Sequence, residues 1–506
     1  MPEYIRALLV ILFLALIGFF FAKKIVQDDI SNSDFNKWKN TWLLVLVVAF
    51  LGHDFWIYVL LSSIIILKLT KSASNKMALY FILLFVIPPV ERAIPGFGLM
   101  NYLFSLSHIR LISLLILLPA ALAISHKNKF TFGKTLTDKL LISYAMVILF
   151  IQLRDRTVTD ALRYVLYSFT DIFLPYYVAS RSIKNLPQIN TTIYAFITSA
   201  IVIAPIAAFE YLKKWLLYNP LPSILHVTFD YGNYLGRGGD LRAIASLSHP
   251  IVLGYFFAVA LSFYFYISTR INNKLIKAMG WSFIMLGLFA ALSRGPWTGA
   301  IASLLTFTLL GSNPFKKMRN LLLICLVATP ILLDSTLGNK IYNLIPFVGT
   351  TDKENVDYRE RLFNNSLIVI NHSPFFGSDN WRKTPEMIAM TQGEGIIDVV
   401  NSYIAIALSK GYVGLFIFVS IFLSVIFSVM KKMIKIKEKN DPLYILGASL
   451  ISTIVAILIT ITTTSSINVI PIIYWSVLGL GISYTRIAND YIESKSSNNK
   501  ANNNMT

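Results

Sequence analysis

Residues 4–24 read YIRALLVILFLALIGFFFAKK, and this stretch decides the class of fold. A helix needs about 20 mostly apolar residues to cross a bilayer, and in hydrocarbon its backbone must satisfy its own hydrogen bonds. Residues 4–22 reach that length, Lys23 and Lys24 close the run, and no small-residue cleavage site follows. The segment therefore reads as an uncleaved membrane helix rather than a signal peptide. The pattern recurs at 77–90, 109–124, 140–153, 161–179, 191–212, 251–267, 278–292, 296–310, 321–333, 402–430, 443–462 and 469–483. Residues 42–69, broken by Gly52, His53 and Asp54, read either as one kinked span or as a hairpin of two short ones. The expected fold is all-α, a polytopic helical membrane protein with about 14 transmembrane helices and two long extracytoplasmic loops.

Composition agrees. Of 506 residues 55% are hydrophobic and only 14% charged, which disfavours a single water-soluble domain, a coiled coil and a disordered chain. The formal charge of +19 does not point to nucleic acid, because the cations sit in short strips between apolar runs. Lys71 and Lys76, residues 127–139, Arg181 and Lys184, residues 270–277, 316–319 and 431–439 occupy alternate connections, which the positive-inside rule makes cytoplasmic. The polar tail from Glu493 falls on the same side and is expected to be disordered. The organisation predicted is N-terminal transmembrane helices over 1–214, an extracytoplasmic loop over 215–248, central helices over 249–333, a long extracytoplasmic loop over 334–400, C-terminal helices over 401–487 and a cytoplasmic tail over 488–506. Cys325, the single cysteine, excludes an internal disulfide framework and a cysteine-based zinc site. The glycine cluster YGNYLGRGGDL, residues 231–241, lacks the Lys-Ser/Thr of a phosphate-binding loop.

Chemistry-bearing residues collect on the loops opposite the basic strips. In GRGGDLRAIASLSHPIVLG, residues 236–254, Arg242 precedes His249 and Pro250 at the start of a span. In ALSRGPWTGA, residues 291–300, Arg294 and Gly295 occupy a tight turn between two spans. In VDYRERLFNNSLIVINHSPFFGS, residues 356–378, Arg359 and Arg361 open an amphipathic segment that ends at Pro374 and Gly377. Arginine offers a rigid fork of donors, stays charged and desolvates more readily than lysine, so several converging there suit a lipid-linked diphosphate. Interfacial arginines also snorkel to headgroups, and histidines such as His249 and His372 also cap helices. No pair of residues has metal-ligand spacing on one helix, so neither metal nor cofactor is assigned. Asp54, Asp171 and Glu210 lie in or beside spans, where a carboxylate is either functional or paired with a neighbouring arginine.

Together the pieces LRAIASLSHPIVLG, LSRGPW, YRERLFNNSLIVINHSPFFG and NSYIAIALSKGYVGL, spread over 241–415, resemble the bacterial O-antigen ligase and O-antigen polymerase superfamily. The resemblance implies an inner-membrane, multi-pass, metal-independent glycosyltransferase acting on undecaprenyl-diphosphate-linked glycans, with its active site on the extracytoplasmic face. It implies Arg242 and Arg359 on the diphosphate, with Arg361 a near rival and Arg294 in support. The ligase branch carries a His-Asn pair where this chain has Val400-Asn401, so the polymerase branch is favoured, making O-antigen, capsule or exopolysaccharide. Asp398, Glu394 and His372 are the candidates to take the acceptor proton, with His249 and Asn401 as further substrate contacts. The implied partners are the lipid-linked donor and acceptor, membrane lipid, a flippase and a chain-length regulator, with no nucleic acid. A ligase, and from another class a lipid-linked oligosaccharide flippase or other transporter, stand as alternatives.

Overall fold

The computed structural model describes residues 1–98, 100–125, 132–228, 236–237, 239–333, 353–392 and 395–503. It is a helical bundle: α1 (Glu3–Val26), α2 (Asn32–Leu51), α3 (Phe55–Ser72), α4 (Lys76–Leu84), α5 (His108–Ile112), α6 (Leu118–Ser125), α7 (Leu136–Asp155), α8 (Val158–Ser168), α9 (Leu174–Ser182) and α10 (Leu186–Lys213). There follow α11 (Pro250–Arg270), α12 (Lys274–Ala290), α13 (Arg294–Leu310), α14 (Pro314–Leu333), α15 (Lys353–His372), α16 (Ser402–Lys435), α17 (Pro442–Thr460) and α18 (Ile470–Asn503). Among the described residues, strands are confined to two-residue pieces near 236–241 and a hairpin of β1 (Glu91–Pro95) on β2 (Tyr102–Ser107).

Seven helices among the described residues are individually long and apolar enough to cross a membrane: α1, α7, α10, α11, α16, α17 and α18. In α10 and α11 89% of the apolar window is buried, against 39% in α1, α7 and α16, so the first pair forms the centre and the second set turns apolar faces outward. The outward faces carry Phe13, Phe20, Phe150, Phe416 and Phe427, which only lipid would cover favourably. This is an integral membrane protein.

Several passages expected from hydropathy are built in pieces. Residues 42–69 are two helices, not one kinked span. The Asp54 side chain caps α3 by accepting the Trp56 amide at 2.7 Å, and it pairs with Arg92 at 3.0 Å. The apolar run 161–179 becomes α8, a π-helical turn (Phe169–Phe173) and α9, while a second π turn (Ser113–Leu117) joins α5 to α6. Beside these wide turns Asp171 pairs with Arg110 at 3.4 Å, so its partner is the structural arginine; Arg110 also reaches Glu91 at 3.2 Å. The tail expected to be disordered is helical to Asn503. Residues 482–503 contain no glycine or proline to stop the helix, and the pairs Tyr491 with Asp441 and Lys495 with Glu438 tie it back to the bundle.

Small residues let helices that position the site approach closely. Gly295, Gly299 and Ser303, one turn apart, face the partner helices of α13. A Cβ on Gly295 would stand 2.1 Å from Thr463 Oγ1, and one on Gly299 2.1 Å from Thr460 Oγ1. On the neighbouring side Ser303 and Ser262 exchange a hydrogen bond at 2.5 Å.

α16 is broken at Gly411, whose φ of +62° and ψ of −172° no helix contains. The segment 374–378 docks into the break. Tyr412 donates to the Pro374 carbonyl at 2.7 Å, Val413 to Phe375 at 3.1 Å, and Ser378 returns a bond to Leu408 at 3.0 Å. Amides freed by the break thereby regain partners, the condition for tolerating a broken helix at membrane depth. Gly377, φ +59°, is required because its Cβ would lie 2.6 Å from Gly411 N.

Candidate active site

Four stretches meet at one end of the bundle: 239–249 with 236–237, the turn 291–293 with the start of α13, 353–392 with 395–401, and the turn 461–469 between α17 and α18. The first lies along the second. Ala243 donates to the Ala290 carbonyl at 3.0 Å, Arg237 to Leu292 at 2.8 Å, and Arg242 Nε to Ala291 at 3.3 Å. Arg242 is buried, 6% exposed, against the turn that leads into Arg294. Beneath it the fully buried Glu210 carboxyl accepts the amides of Ala245 at 2.7 Å, Ile244 at 3.0 Å and Leu217 at 3.0 Å. Its role is to hold the loop that carries Arg242, and its partners are backbone amides rather than an arginine.

His249 caps α11. Its Nδ1 accepts the Ile251 amide at 3.1 Å, which leaves the ring proton on Nε2. Burial, aided by the Arg242 charge, pushes its pKa down to about 4, so the imidazole is neutral at physiological pH. Backbone strain concentrates here: Ala245, Ser248, Leu292 and Asn468 all have φ between +41° and +62°. Non-glycine residues in that region persist where the surroundings over-determine them, a recurring property of functional sites.

Residues 358–392 and 395–408 fold over their own small core, formed by Tyr358, Leu362, Val369, Ile370, Trp381, Met387, Met390 and Val399 with Ala407 and Leu408 of α16. Tyr358 Oη bonds the Asp398 carbonyl at 3.1 Å, setting the next residue, Arg359, beside Asp398. Desolvation lowers the Arg359 pKa; the Asp398 charge opposes that and the Arg294 charge adds to it, so both groups stand within electrostatic range of Arg359. The Asp398 carboxyl is pushed up by desolvation, against a hydrogen bond from Ser465 and the Arg359 charge. Both side chains remain exposed to solvent, although the protein around them desolvates their charges.

The turn 461–469 connects these pieces. Ser465 Oγ lies 3.1 Å from Asp398 Oδ1 and 2.8 Å from the Val399 carbonyl. Ser466 bonds Ser402 at 2.8 Å, Asn468 donates to Ser248 at 2.9 Å, and Thr463 lies against Gly295. From the far side Arg154 donates to the Gly377 carbonyl at 2.6 Å, Asp155 accepts the Asp379 amide at 2.7 Å, and Arg156 pairs with Asp379.

Residues 279–419 match the O-antigen ligase family model. The match spans less than a third of the chain, and it agrees with the resemblance carried by the motifs and with the O-antigen ligase and polymerase superfamily. It takes in Arg294, Arg359, Asp398 and the Gly411 break, and leaves Arg242, His249 and Ser465 outside. No curated protein matches the chain.

The residues expected from sequence at an O-antigen ligase-type site are thus placed unevenly. Arg359, Asp398 and Arg294 are brought together, and Arg242 stands beside His249 across the 291–293 turn. Arg361 is exposed, two residues and hence roughly 200° around α15 from Arg359. His372 ends α15, thirteen residues and about 20 Å along the helix from Arg359. Asn401 uses its Oδ1 to cap α16, accepting the amides of Tyr403 at 2.9 Å and Ile404 at 3.2 Å. Glu394 lies outside the described residues. Sequence reasoning missed Ser465 and the Arg154-Asp155-Arg156 clamp. The signals were present as TTTSS at 462–466 between two spans, and as RDR at the end of another.

Proposed function

We propose that this protein is a membrane glycan transferase that moves a glycan from a polyprenyl diphosphate to a hydroxyl acceptor, working as a polymerase of lipid-linked repeat units at the extracytoplasmic face of the inner membrane. The observation that carries the reading is the grouping of Arg359 with Asp398 and Arg294, two cations within electrostatic range of a carboxyl whose pKa is raised.

In this reading the acceptor oxygen attacks the anomeric carbon while the bond from that carbon to the diphosphate oxygen breaks. The electron pair leaves with the diphosphate, and the hydroxyl proton passes to Asp398. Attack opposite the leaving group inverts the anomeric centre. Diphosphate is already a good leaving group, so catalysis consists of charge stabilisation and alignment. Arg359 and Arg242 take the growing charge, Arg294 reinforces the positive potential, and a carboxylate of raised pKa is the better base near neutrality. Neutral His249 is a donor through Nε2 rather than a base at Nδ1.

The family match supports a ligase equally. What favours the polymerase is Val400-Asn401 in place of the ligase His-Asn pair, together with the capping duty of Asn401. A transporter would gather its polar groups at mid-bilayer, whereas here they lie in loops at one end. The deciding experiment deletes the gene and restores it with the parent chain, Arg359→Ala or Asp398→Asn. Loss of long polymer with single repeats still attached to the final acceptor supports polymerase. Long polymer that accumulates unattached supports ligase, and unchanged polymer removes both.

A further inference from the structure

The Ser465 hydroxyl has two acceptors and one proton. Asp398 Oδ1 is 3.1 Å away and the Val399 carbonyl 2.8 Å, so with Asp398 ionised the hydroxyl can satisfy only one of them. If Asp398 carries a proton the conflict disappears: the carboxylic acid donates to Ser465, and Ser465 donates to Val399. The main chain around this pair is fixed independently. Val400 and Tyr358 Oη both bond the Asp398 carbonyl, and the Asn401 amide bonds Val399 at 2.7 Å. The geometry accordingly gives the Ser465 hydroxyl one acceptor when Asp398 is ionised and another when it is protonated, without any backbone movement.

We propose that Ser465 is the positioning residue of Asp398, switching its hydroxyl proton between the Val399 carbonyl and the carboxylate as Asp398 gains and loses a proton. The proposal deepens the reading above, in which Asp398 receives the acceptor proton, and rests on it. Among the described residues, the charged groups facing this carboxyl are Arg359 on α15 and, through Arg359, Arg294 at the start of α13; the turn 461–469 contains no charged residue. Ser465 is thus the donor through which the α17–α18 turn acts on the acidity of Asp398.

The test reads Asp398 directly. A carbodiimide modifies protonated carboxyls, so modification of the peptide containing Asp398 in the purified full-length protein is followed by mass spectrometry across about pH 4 to 8, a range bracketing a raised carboxyl pKa. Ser465→Ala removes a charge-assisted bond to the carboxylate and a weaker neutral bond from the acid, so it is expected to raise the midpoint by about half a pH unit or more, and Ser465→Thr to restore it. Should Ser465→Ala not accumulate, Ser465→Cys, a weak donor of similar size, takes its place with the same expected direction. A midpoint identical to that of the parent chain overturns the proposal. Polymer synthesis is measured in parallel: a shifted midpoint with Asp398→Asn still fully active removes Asp398 as the base while the Ser465 coupling stands, so the two failures are separable.

Discussion

The Tyr412 amide donates to the Pro374 carbonyl at 2.7 Å, across a break that divides α16 into a short arm beside the site and a long span. One segment of the loop thereby serves as the missing backbone of a helix almost forty residues later. The motifs HSPFFG and SKGYVG are two halves of one joint, which explains the need for glycine at both 377 and 411 without giving either a part in chemistry.

Gly411→Ala should therefore destabilise the fold more than it affects any single contact. The positive φ costs about 1–3 kcal/mol for a residue with a side chain. The added methyl would also sit 2.3 Å from the Phe375 carbonyl. The expected result is lower membrane abundance and a reduced unfolding temperature in detergent, with Gly377→Ala behaving alike. Pro374→Ala should be much milder, because it keeps the carbonyl.

The clamp at the end of α7 makes a different prediction. Arg154→Ala removes the donor to the Gly377 carbonyl and leaves Asp155 without its bidentate partner. Lost charge-assisted bonds of this kind cost about 1.5–3 kcal/mol. Transfer is expected to fall about tenfold or more while the chain remains folded, and limited proteolysis should cut faster within 373–384 than in the parent chain.

Arginine geometry separates charge from fork. Arg359→Ala should slow transfer by about a hundredfold or more, the scale of removing one preorganised donor from a developing anion. Arg359→Lys keeps the charge but not the planar pair of donors, so it should recover only part of the loss. Full recovery would reduce the role of Arg359 to bulk charge.

Asp398 connects activity to pH and stability with opposite signs. Its pKa is raised on folding, so the acid limb of transfer should lie above the usual aspartate range, with activity lost as pH falls through it. Between the ordinary and the raised value the folded chain binds more protons than the unfolded one, so stability declines as pH rises through that window. Asp398→Asn should abolish the acid limb along with most transfer, yet leave the unfolding temperature near neutrality unchanged or higher. A lower temperature would contradict the desolvated carboxyl.

The helical membrane class was legible because about 20 apolar residues leave a backbone in lipid little choice. Arg359, Arg294 and Asp398 were legible as residue types on the loops opposite the basic strips. The course of individual spans was less so. Hydropathy averages over the π turns at 113–117 and 169–173, and cannot see that Asp54 caps a second helix. Ser465 was invisible for another reason: a hydroxyl in a turn carries no charge or period, and its meaning comes only from Asp398, 67 residues earlier. His372 shows the converse. It shares the loop that precedes α16 with Asp398, but α15 carries it about 20 Å along the helix from Arg359.

The most direct test is transfer by the purified chain in proteoliposomes, supplied with a polyprenyl-diphosphate-linked repeat extracted from a strain lacking the gene, with released polyprenyl diphosphate and lengthened glycan measured together. The account predicts that both products appear in equal amounts with the parent chain and fall by about a hundredfold with Arg359→Ala. Equal rates from the two chains, or glycan lengthening without release of the diphosphate, would contradict it.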